Sequence, residues 1–304
     1  MIYTITLNPS IDHVILINEL NLGGLNKMEK EMKFPGGKGI NVSRILQELN
    51  YENTALGFLG GYTGEYMLEQ LQGYGIKTDF IPIQDETRTN LKLKSYAETE
   101  INGQGPDILP EEARKLQRQL DKITSQDSVI LSGSMPPSLP NDFYQVLVEE
   151  IVKSNATFII DTTGRALKSA LPYKPMLVKP NLEELSELFD VTLSDQEAII
   201  HYGKKLLNEG AQHVIVSMAG DGALLFTSEG VFHGLSPKGD IKNSVGAGDS
   251  MIAGFTGEFR ETNDVIEAFQ MGLAAGSATA FSADLAEKAD ILNLLEKVEI
   301  TRIS

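Results

Sequence analysis

The segment NSVGAGDSMIAGF, residues 243–255, contains the strongest local signal in the chain. Gly246 and Gly248 allow the backbone to turn, so that the N–H groups of residues 246–249 can point in one direction. A helix that starts near Asp249 adds the positive end of its dipole, which attracts an anion. The pattern therefore predicts a site where negative charge is stabilised and Asp249 accepts a proton. The residues of this site are Gly246, Ala247, Gly248 and Asp249. Taken alone, the segment also fits a tight turn with an aspartate cap.

Short apolar runs precede this segment and alternate with helical patterns for most of the chain. Val42, Ile45, Leu46 and Leu49 share one helical face, and a second amphipathic pattern spans 199–207. The apolar runs are bounded by turns, as expected of strands buried on both faces. This alternation predicts an α/β fold with a mostly parallel central sheet and helices on both faces. The predicted strands are 2–7, 55–59, 128–132, 157–161, 176–179 and 213–217.

Two segments depart from the alternation. Residues 13–34 combine an apolar run with a polar stretch, and in 88–96 Leu91 and Leu93 alternate with Lys92 and Lys94. Strict alternation is typical of a half-exposed sheet. We expect a single domain over 1–304, with a small β lid formed from about 13–34 and 88–104.

Composition excludes several classes of protein. Hydrophobic residues make up 41% of the 304 residues, charged residues make up 22%, and there is no cysteine. No apolar run is long enough to span a membrane, and the N-terminus does not resemble a signal peptide, so we expect a cytoplasmic protein. A net charge of -16 argues against nucleic-acid binding. The four histidines lack metal-ligand spacing.

Common nucleotide-binding motifs do not fit. The glycine cluster PGGKGIN (35–41) has glycine after Lys38, where a P-loop requires serine or threonine. Gly246-x-Gly248 is followed by Met251 at the third glycine position of a dinucleotide fingerprint. Any phosphate must therefore be held by other glycine turns and by a few lysines and arginines.

Several motifs in order resemble the ribokinase-like carbohydrate kinases, also called the phosphofructokinase B family. PGGKGINVSRIL (35–46) is similar to its N-terminal sugar-binding signature, and NSVGAGDSMIAGF to its C-terminal signature. Between them lie SGSMPPSLP (132–140), DTTGRAL (161–167), KPNLEEL (179–185) and VSMAGDGAL (216–224). The resemblance covers nearly the whole chain and implies a ribokinase-like fold and ATP-dependent sugar phosphorylation.

The resemblance implies a sugar site in the first third of the chain. Asp12, expected at the end of the first strand, would accept hydrogen bonds from sugar hydroxyls, and Asn41 would bind another hydroxyl. Gly36 and Gly37 would allow close backbone approach. The lid and its neighbourhood would supply the groups that hold a sugar phosphate, namely Lys27, Lys38, Arg88, Asn90 and Lys92.

The nucleotide side is expected later in the chain. Glu184, in the Asn-x-x-Glu motif with Asn181, would hold Mg²⁺ through water. Lys179 and Gly248 would lie near the ATP phosphates. Ser217, Gly220 and Gly222 would border the nucleotide, and Asn243, Ser244 and Gly276 would flank adenine. The small residues of 272–280 equally suit close helix packing.

Asp249 is then the expected base in transfer of the ATP γ-phosphoryl group to a sugar hydroxyl. The motif wording favours fructose 1-phosphate, giving fructose 1,6-bisphosphate, with tagatose 6-phosphate as the alternative substrate. Flipping a ketohexofuranose ring approximately exchanges its two hydroxymethyl groups, which leaves open the end that is phosphorylated. A non-catalytic sugar-phosphate sensor is a remote alternative. The lid edge also suggests a homodimer in which lids pair.

Overall fold

The computed structural model describes all 304 residues as two sheets with helices around the larger one. All six predicted strands are present, and nine others join them. The strands, numbered along the chain, are β1 (Ile2–Thr6), β2 (Ser10–Leu16), β3 (Lys30–Gly36), β4 (Asn53–Gly60), β5 (Lys77–Thr78), β6 (Ile81–Ile83), β7 (Arg88–Lys94), β8 (Glu98–Asn102), β9 (Ser128–Ser132), β10 (Thr157–Asp161), β11 (Leu177–Val178), β12 (His213–Ser217), β13 (Ala223–Thr227), β14 (Gly230–Gly234) and β15 (Ile300–Arg302).

Helices cover both faces of the large sheet, as predicted. Successive strand residues enter opposite cores: Val129 and Leu131 pack on one face, whereas Ile130 packs on the other. One core contains side chains of α3 to α7, and the other contains those of α1, α8, α9 and α10. The helices are α1 (Lys38–Glu48), α2 (Gly61–Gly73), α3 (Pro110–Gln119), α4 (Phe143–Lys153), α5 (Gly164–Ala170), α6 (Leu182–Phe189), α7 (Gln196–Asn208), α8 (Ala247–Thr262), α9 (Val265–Ala280) and α10 (Lys288–Leu295).

The large sheet is parallel in its centre and antiparallel at one edge. Its strand order is β15-β14-β13-β12-β11-β10-β9-β1-β4-β5, and β6 also pairs with β4. Strands β12 to β15 pair antiparallel. Because only Ser228 and Glu229 separate β13 from β14, these strands form a hairpin, whereas a parallel pair would need a longer crossover. This antiparallel edge was not predicted.

The small sheet has the strand order β3-β2-β7-β8. Its register puts Lys92 opposite Val14 on one side and opposite Glu100 on the other. The predicted alternation of β7 is present, but the lysine face is the more enclosed one, since Lys92 is only 8% exposed. Lys92 therefore faces the space between the two sheets, and the sheet edge ends in the exposed strand β8.

The predicted position of Asp12 at the end of the first strand is wrong. Strand β1 ends at Thr6, and Asp12 is the third residue of β2 in the small sheet. Pro9 lies between the two strands, where it has no N–H to continue the β1 ladder. The chain therefore leaves the large sheet before Asp12 and carries this carboxylate into the small sheet.

Candidate active site

The carboxyl ends of the central parallel strands carry a buried polar cluster. Strand β9 ends with Ser132, β10 ends with Asp161, and Lys179 follows β11 directly. Helices α1 and α8 both begin at this edge, at Lys38 and Ala247. Ligands of open α/β sheets bind at this edge, outside the carboxyl ends of the strands.

Asp249 lies at the base of the cluster, in the first turn of α8. Its side chain is 6% exposed, and Asn41 Nδ2 donates a hydrogen bond to Asp249 Oδ2 at 2.9 Å. Burial, reinforced by the negative charge of Asp161, raises the pKa of Asp249 to about 6, although Lys38 acts in the opposite direction. A carboxyl group with this pKa is ionised at neutral pH and remains basic enough to accept a proton.

The backbone before Asp249 has the predicted turn. Gly246 precedes the helix with φ +80, a conformation that favours glycine. A Cβ on Gly248 would lie 2.9 Å from Lys179 Nζ, so this lysine sits directly against the start of α8. Lysine charge and the helix N-terminus together make this point suitable for a phosphoryl group.

Asp161 connects the two lysines of the cluster. Its carboxylate lies 3.2 Å from Lys38 Nζ and 3.8 Å from Lys179 Nζ, and Ser132 Oγ donates to it at 3.2 Å. Burial opposes ionisation of Asp161, but the charges of Lys179 and Lys38 outweigh it and lower the pKa. Asp161 is therefore an anion that holds both lysines beside Asp249.

Asn181 and Glu184 form a reciprocal cap at the start of α6. Asn181 Oδ1 accepts from the Glu184 N–H at 2.8 Å, and Glu184 Oε2 accepts from the Asn181 N–H at 2.9 Å. Glu184 Oε1 remains outside the cap, 3.8 Å from Lys38 Nζ. This free oxygen can accept hydrogen bonds from the water shell of Mg²⁺, so the residues present fit a hydrated magnesium ion.

A second group of polar side chains surrounds Asp12 in the small sheet. Asp12 Oδ1 accepts from Ser10 Oγ at 2.9 Å and from Asn90 Nδ2 at 3.1 Å, and its Oδ2 lies 3.5 Å from Lys92 Nζ. A Cβ on Gly36 would come within 2.5 Å of the Asp12 carboxyl carbon. The Asp12 side chain can therefore lie against the end of β3 only because residue 36 is glycine.

An open cavity of about 260 Å³ joins this group to Asn41, the hydrogen-bond partner of Asp249. Its apolar walls include Val14, Met32 and Phe34 from one face of the small sheet. Arg44 of α1 also lines the cavity and forms an ion pair with Asp284. The cavity can receive a small molecule whose one end meets Lys92 and whose other end approaches Asp249.

Comparison with known proteins then decides the family. The model of the pfkB family carbohydrate kinases matches residues 5–291. The chain belongs to the pfkB family of carbohydrate kinases. It is 47% identical to 1-phosphofructokinase of Bacillus subtilis, with 100% of both chains covered. It is 35% identical to D-tagatose-1-phosphate kinase of Bacillus licheniformis, again over 100% of both.

A solved relative supports the same assignment. The crystal structure of phosphofructokinase-2 from Escherichia coli in complex with fructose-6-phosphate has a TM-score of 0.92 and 30% identity, and the match covers 97% of this chain and 98% of that one. The predicted ribokinase-like fold is thereby confirmed. As a pfkB kinase, the protein is an enzyme that transfers phosphate to a sugar hydroxyl.

The predicted phosphate-binding residues fall into different surroundings. Lys38 faces Asp161 and Glu184, whereas Lys92 faces Asp12 and Glu100. Lys38 therefore lies on the Asp249 side of the site, away from the small-sheet lysine. Arg88 donates to the Asn8 carbonyl at 3.0 and 3.2 Å and to the Gly103 carbonyl at 2.8 Å, which fixes its guanidinium between two loops. Lys27 lies in the exposed loop between β2 and β3 and forms no ion pair within the chain.

The residues predicted near the nucleotide lie around the same edge. Ser217 ends β12 and forms a bridge with Asn181, and Gly220 and Gly222 belong to the turn that follows. Asn243 Oδ1 accepts from the Val245 N–H at 3.1 Å, which shapes the loop containing Ser244 before α8. The roles of Ser217, Gly220 and Gly222 beside the nucleotide, and of Asn243 and Ser244 beside adenine, stay predictions.

Gly276 allows α9 to pack closely on α8. A Cβ at this position would lie 3.0 Å from the Ala247 carbonyl oxygen. Close packing was one of the two interpretations of the small-residue helix. Contact with adenine, the other interpretation, stays a prediction.

Three cluster residues were not predicted, namely Ser132, Asp161 and Arg44. Asp161 and Ser132 belong to quoted motifs, but no role was assigned to them. A usable signal existed for Asp161, because it ends an apolar run predicted as a strand. Our reasoning for Asp12, that a carboxylate at the carboxyl end of a parallel strand faces a ligand, applies in this structure to Asp161.

No helix in the structure has the length and apolar character needed to cross a membrane. No group of three or more histidine, cysteine, aspartate and glutamate side chains has the geometry of a direct metal site.

Proposed function

We propose that this pfkB kinase transfers the γ-phosphoryl group of ATP to the C6 hydroxyl of fructose 1-phosphate. The observation that carries the proposal is the cavity between two unlike ends. One end has Asn41, whose side chain donates to the buried Asp249 behind it, and the other has Asp12 and Lys92 in the small sheet. A phosphosugar needs both ends, one that binds an anion and one that accepts a proton.

Asp249 would accept the proton of the attacking hydroxyl. The side-chain amide of Asn41 orients its carboxylate, so the second oxygen can face the hydroxyl. The backbone N–H groups at 246–249 and the ammonium groups of Lys38 and Lys179 would stabilise the negative charge on the transferring group. Asp161 fixes both lysines, which keeps their charge at the reacting end.

Glu184 and the Asn181 cap would hold Mg²⁺ through its water ligands. The magnesium ion, when bound, neutralises charge on the ATP phosphates. Ser217, Gly220 and Gly222, which border the neighbouring turn, would contact the nucleotide.

At the other end, Asp12 would accept hydrogen bonds from two sugar hydroxyls, since its carboxylate is already oriented by Ser10 and Asn90. Gly36 and Gly37 would allow the sugar to approach the backbone. Lys92, together with Arg88 and Lys27, would neutralise the sugar phosphate. The small sheet would act as a lid over this end and exclude water during transfer.

Tagatose 1-phosphate is the second candidate substrate. The relative from Bacillus licheniformis, 35% identical, is named for it, whereas the relative at 47% is named for fructose phosphate. Both relatives support a sugar with phosphate on C1. Tagatose 6-phosphate, the alternative from the sequence, carries its phosphate at the opposite end.

Steady-state rates separate these substrates. ATP turnover would be measured with purified enzyme and fructose 1-phosphate, fructose 6-phosphate, tagatose 1-phosphate or tagatose 6-phosphate. We expect the highest kcat/KM with fructose 1-phosphate. A higher kcat/KM with either 6-phosphate would overturn the proposed orientation, and the absence of sugar-dependent ATP turnover with all four sugars would favour the sensor alternative.

We also propose a homodimer that pairs through the small sheet. Large apolar side chains are exposed in and beside this sheet: Leu22 is 86% exposed, Leu25 is 87% exposed and Tyr96 is 91% exposed. Exposed apolar patches of this kind mark interaction surfaces, and an open sheet edge needs a cover.

A further inference from the structure

A second cavity, of about 190 Å³, lies at the end of the large sheet opposite the candidate active site. Its walls include Ser128 and Thr157, the first residues of β9 and β10. The other wall is the C-terminal half of α8, with Thr256 and Arg260. The active site occupies the carboxyl ends of these strands, so the two cavities are separated by the length of the strands. Arg260 lies eleven positions after Asp249 in α8, which is about 16 Å along the helix.

Three side chains present unused hydrogen-bond donors to this cavity. Arg260 forms no ion pair, and its only side-chain hydrogen bond is to Ser128 Oγ at 3.4 Å. Because Ser128 accepts this bond, its own hydroxyl proton remains free to donate. Thr256 is 1% exposed, and its buried hydroxyl has no hydrogen-bond partner.

The carboxylate that lines the cavity is already satisfied. Asp127 Oδ1 lies 3.0 Å from the Met1 amino group, and Oδ2 accepts from the Thr124 N–H and hydroxyl at 2.9 and 2.8 Å. Burial opposes ionisation of Asp127, but these hydrogen bonds outweigh it and lower its pKa. The uncompensated charge at the cavity is therefore the guanidinium of Arg260.

We propose that this cavity, the pole cavity, binds a small tetrahedral oxyanion of the phosphate class. The guanidinium of Arg260 and the hydroxyls of Ser128 and Thr256 are its ligands. An oxyanion presents acceptors only and thus matches all three donors, the buried hydroxyls of Ser128 and Thr256 and the exposed guanidinium of Arg260. A buried hydroxyl without a partner is costly, so occupancy also stabilises this end of α8.

Anomalous diffraction with sodium tungstate as the tetrahedral probe tests the proposal. Crystals of the wild type and of three variants would be soaked under identical conditions. We expect a tungsten peak in the pole cavity of the wild type and of Arg118→Gln, a control with the same change in net charge. Arg118 is exposed and pairs with Glu111, away from the cavity. The peak should be absent in Arg260→Gln and weaker in Thr256→Val.

Equilibrium dialysis with radiolabelled inorganic phosphate at constant ionic strength measures the affinity of the pole cavity in solution. We expect Arg260→Gln to weaken one class of site by about 10- to 100-fold, the worth of a charged hydrogen bond, while binding at the active site is unchanged. Thr256→Val should fold without phosphate, because it replaces an unpaired hydroxyl with a methyl group. A wild-type pole cavity without a peak, or a peak and affinity unaltered by Arg260→Gln, would overturn the proposal.

Discussion

Two buried carboxylates with opposite pKa shifts lie at the reacting end of this kinase. The charges of Lys38 and Lys179 keep Asp161 ionised by lowering its pKa. The negative charge of Asp161 is in turn one of the causes that raise the pKa of Asp249. When the surroundings shift the pKa values of two neighbouring carboxyl groups in opposite directions, the two groups commonly have different roles at an active site. Here Asp161 is the fixed anion, and Asp249 is the group that can exchange a proton.

The first prediction concerns the pH dependence of turnover. Asp249 must be ionised to act as a base, so kcat/KM should fall as the pH decreases below about 6, in line with its pKa. Asp161→Asn removes a charge that raises this pKa and should move the acid limb to lower pH. The measurement is the pH profile of kcat/KM for both proteins.

Ser132→Ala is the matched control, since it removes a hydrogen bond to Asp161 and leaves the charge in place. Its acid limb should stay close to that of the wild type. If the acid limb of the pH profile is unchanged in Asp161→Asn, the charge of Asp161 does not raise the pKa of Asp249.

The sequence identified Asp249 but not its partner, for a physical reason. Asp249 stands in a local glycine turn that can be interpreted by itself. The role of Asp161 depends on Lys38 and Lys179, which come from other elements and meet it only in the folded chain. The sequence also supplied the correct rule for strand ends, but Pro9 moved Asp12 out of the strand to which the rule was applied.

At the scale of elements, the start of α6 combines a structural and a functional task. One oxygen of Glu184 caps the helix, and the other faces Lys38 and the expected magnesium site. The helix cap accounts for the spacing of Asn181 and Glu184 without any ligand. Function and stability can therefore be separated only by a variant that keeps the cap.

Glu184→Gln is that variant, because glutamine also serves in a capping box. We expect thermal stability close to that of the wild type. The Mg²⁺ concentration for half-maximal rate should rise about 10- to 100-fold, the usual effect of losing an outer-shell carboxylate. Titrating magnesium in the kinase assay measures this. A Tm decrease with an unchanged magnesium dependence would restrict Glu184 to the cap.

Strands and helices that can be recognised from their local sequence pattern were predicted well. Features that depend on which strands pair were not predicted. The parallel strands were predicted because each is a short apolar run bounded by turns. The hairpin β13–β14 was missed because the apolar run 223–227 reads equally as a strand or a buried helix segment. Its antiparallel edge position depends on its pairing with β12, and with β15, which is distant in sequence.

At the scale of the whole molecule, the small sheet and its loops carry the three most exposed large apolar side chains, Leu22, Leu25 and Tyr96. The alternating pattern predicted this sheet, and Lys92 was predicted to bind the sugar phosphate. Lys92 is enclosed and pairs with Asp12 and Glu100. Its pairing with Asp12 depends on the register between β2 and β7, which the alternation of one strand does not give.

The proposed homodimer gives a prediction at this scale. Leu25→Asp places a charge on the exposed loop of the small sheet and should shift the protein from dimer toward monomer at micromolar concentration. Leu292→Asp changes a 42% exposed leucine on α10 and serves as the control. Light scattering measures both masses. A monomeric wild type, or a Leu25→Asp variant as dimeric as the control, would contradict pairing through this sheet.

The most direct test of the central claim is the turnover of Asp249→Asn with fructose 1-phosphate and ATP. The raised pKa means that the fold loses stability as the pH rises from about 4 to about 6 and Asp249 ionises. At pH 7.5 this costs about 3 kcal/mol, so the variant should have at least the wild-type Tm. We predict that kcat falls by about 10²- to 10⁴-fold. A folded variant with near-normal kcat would contradict the account of Asp249 as the base.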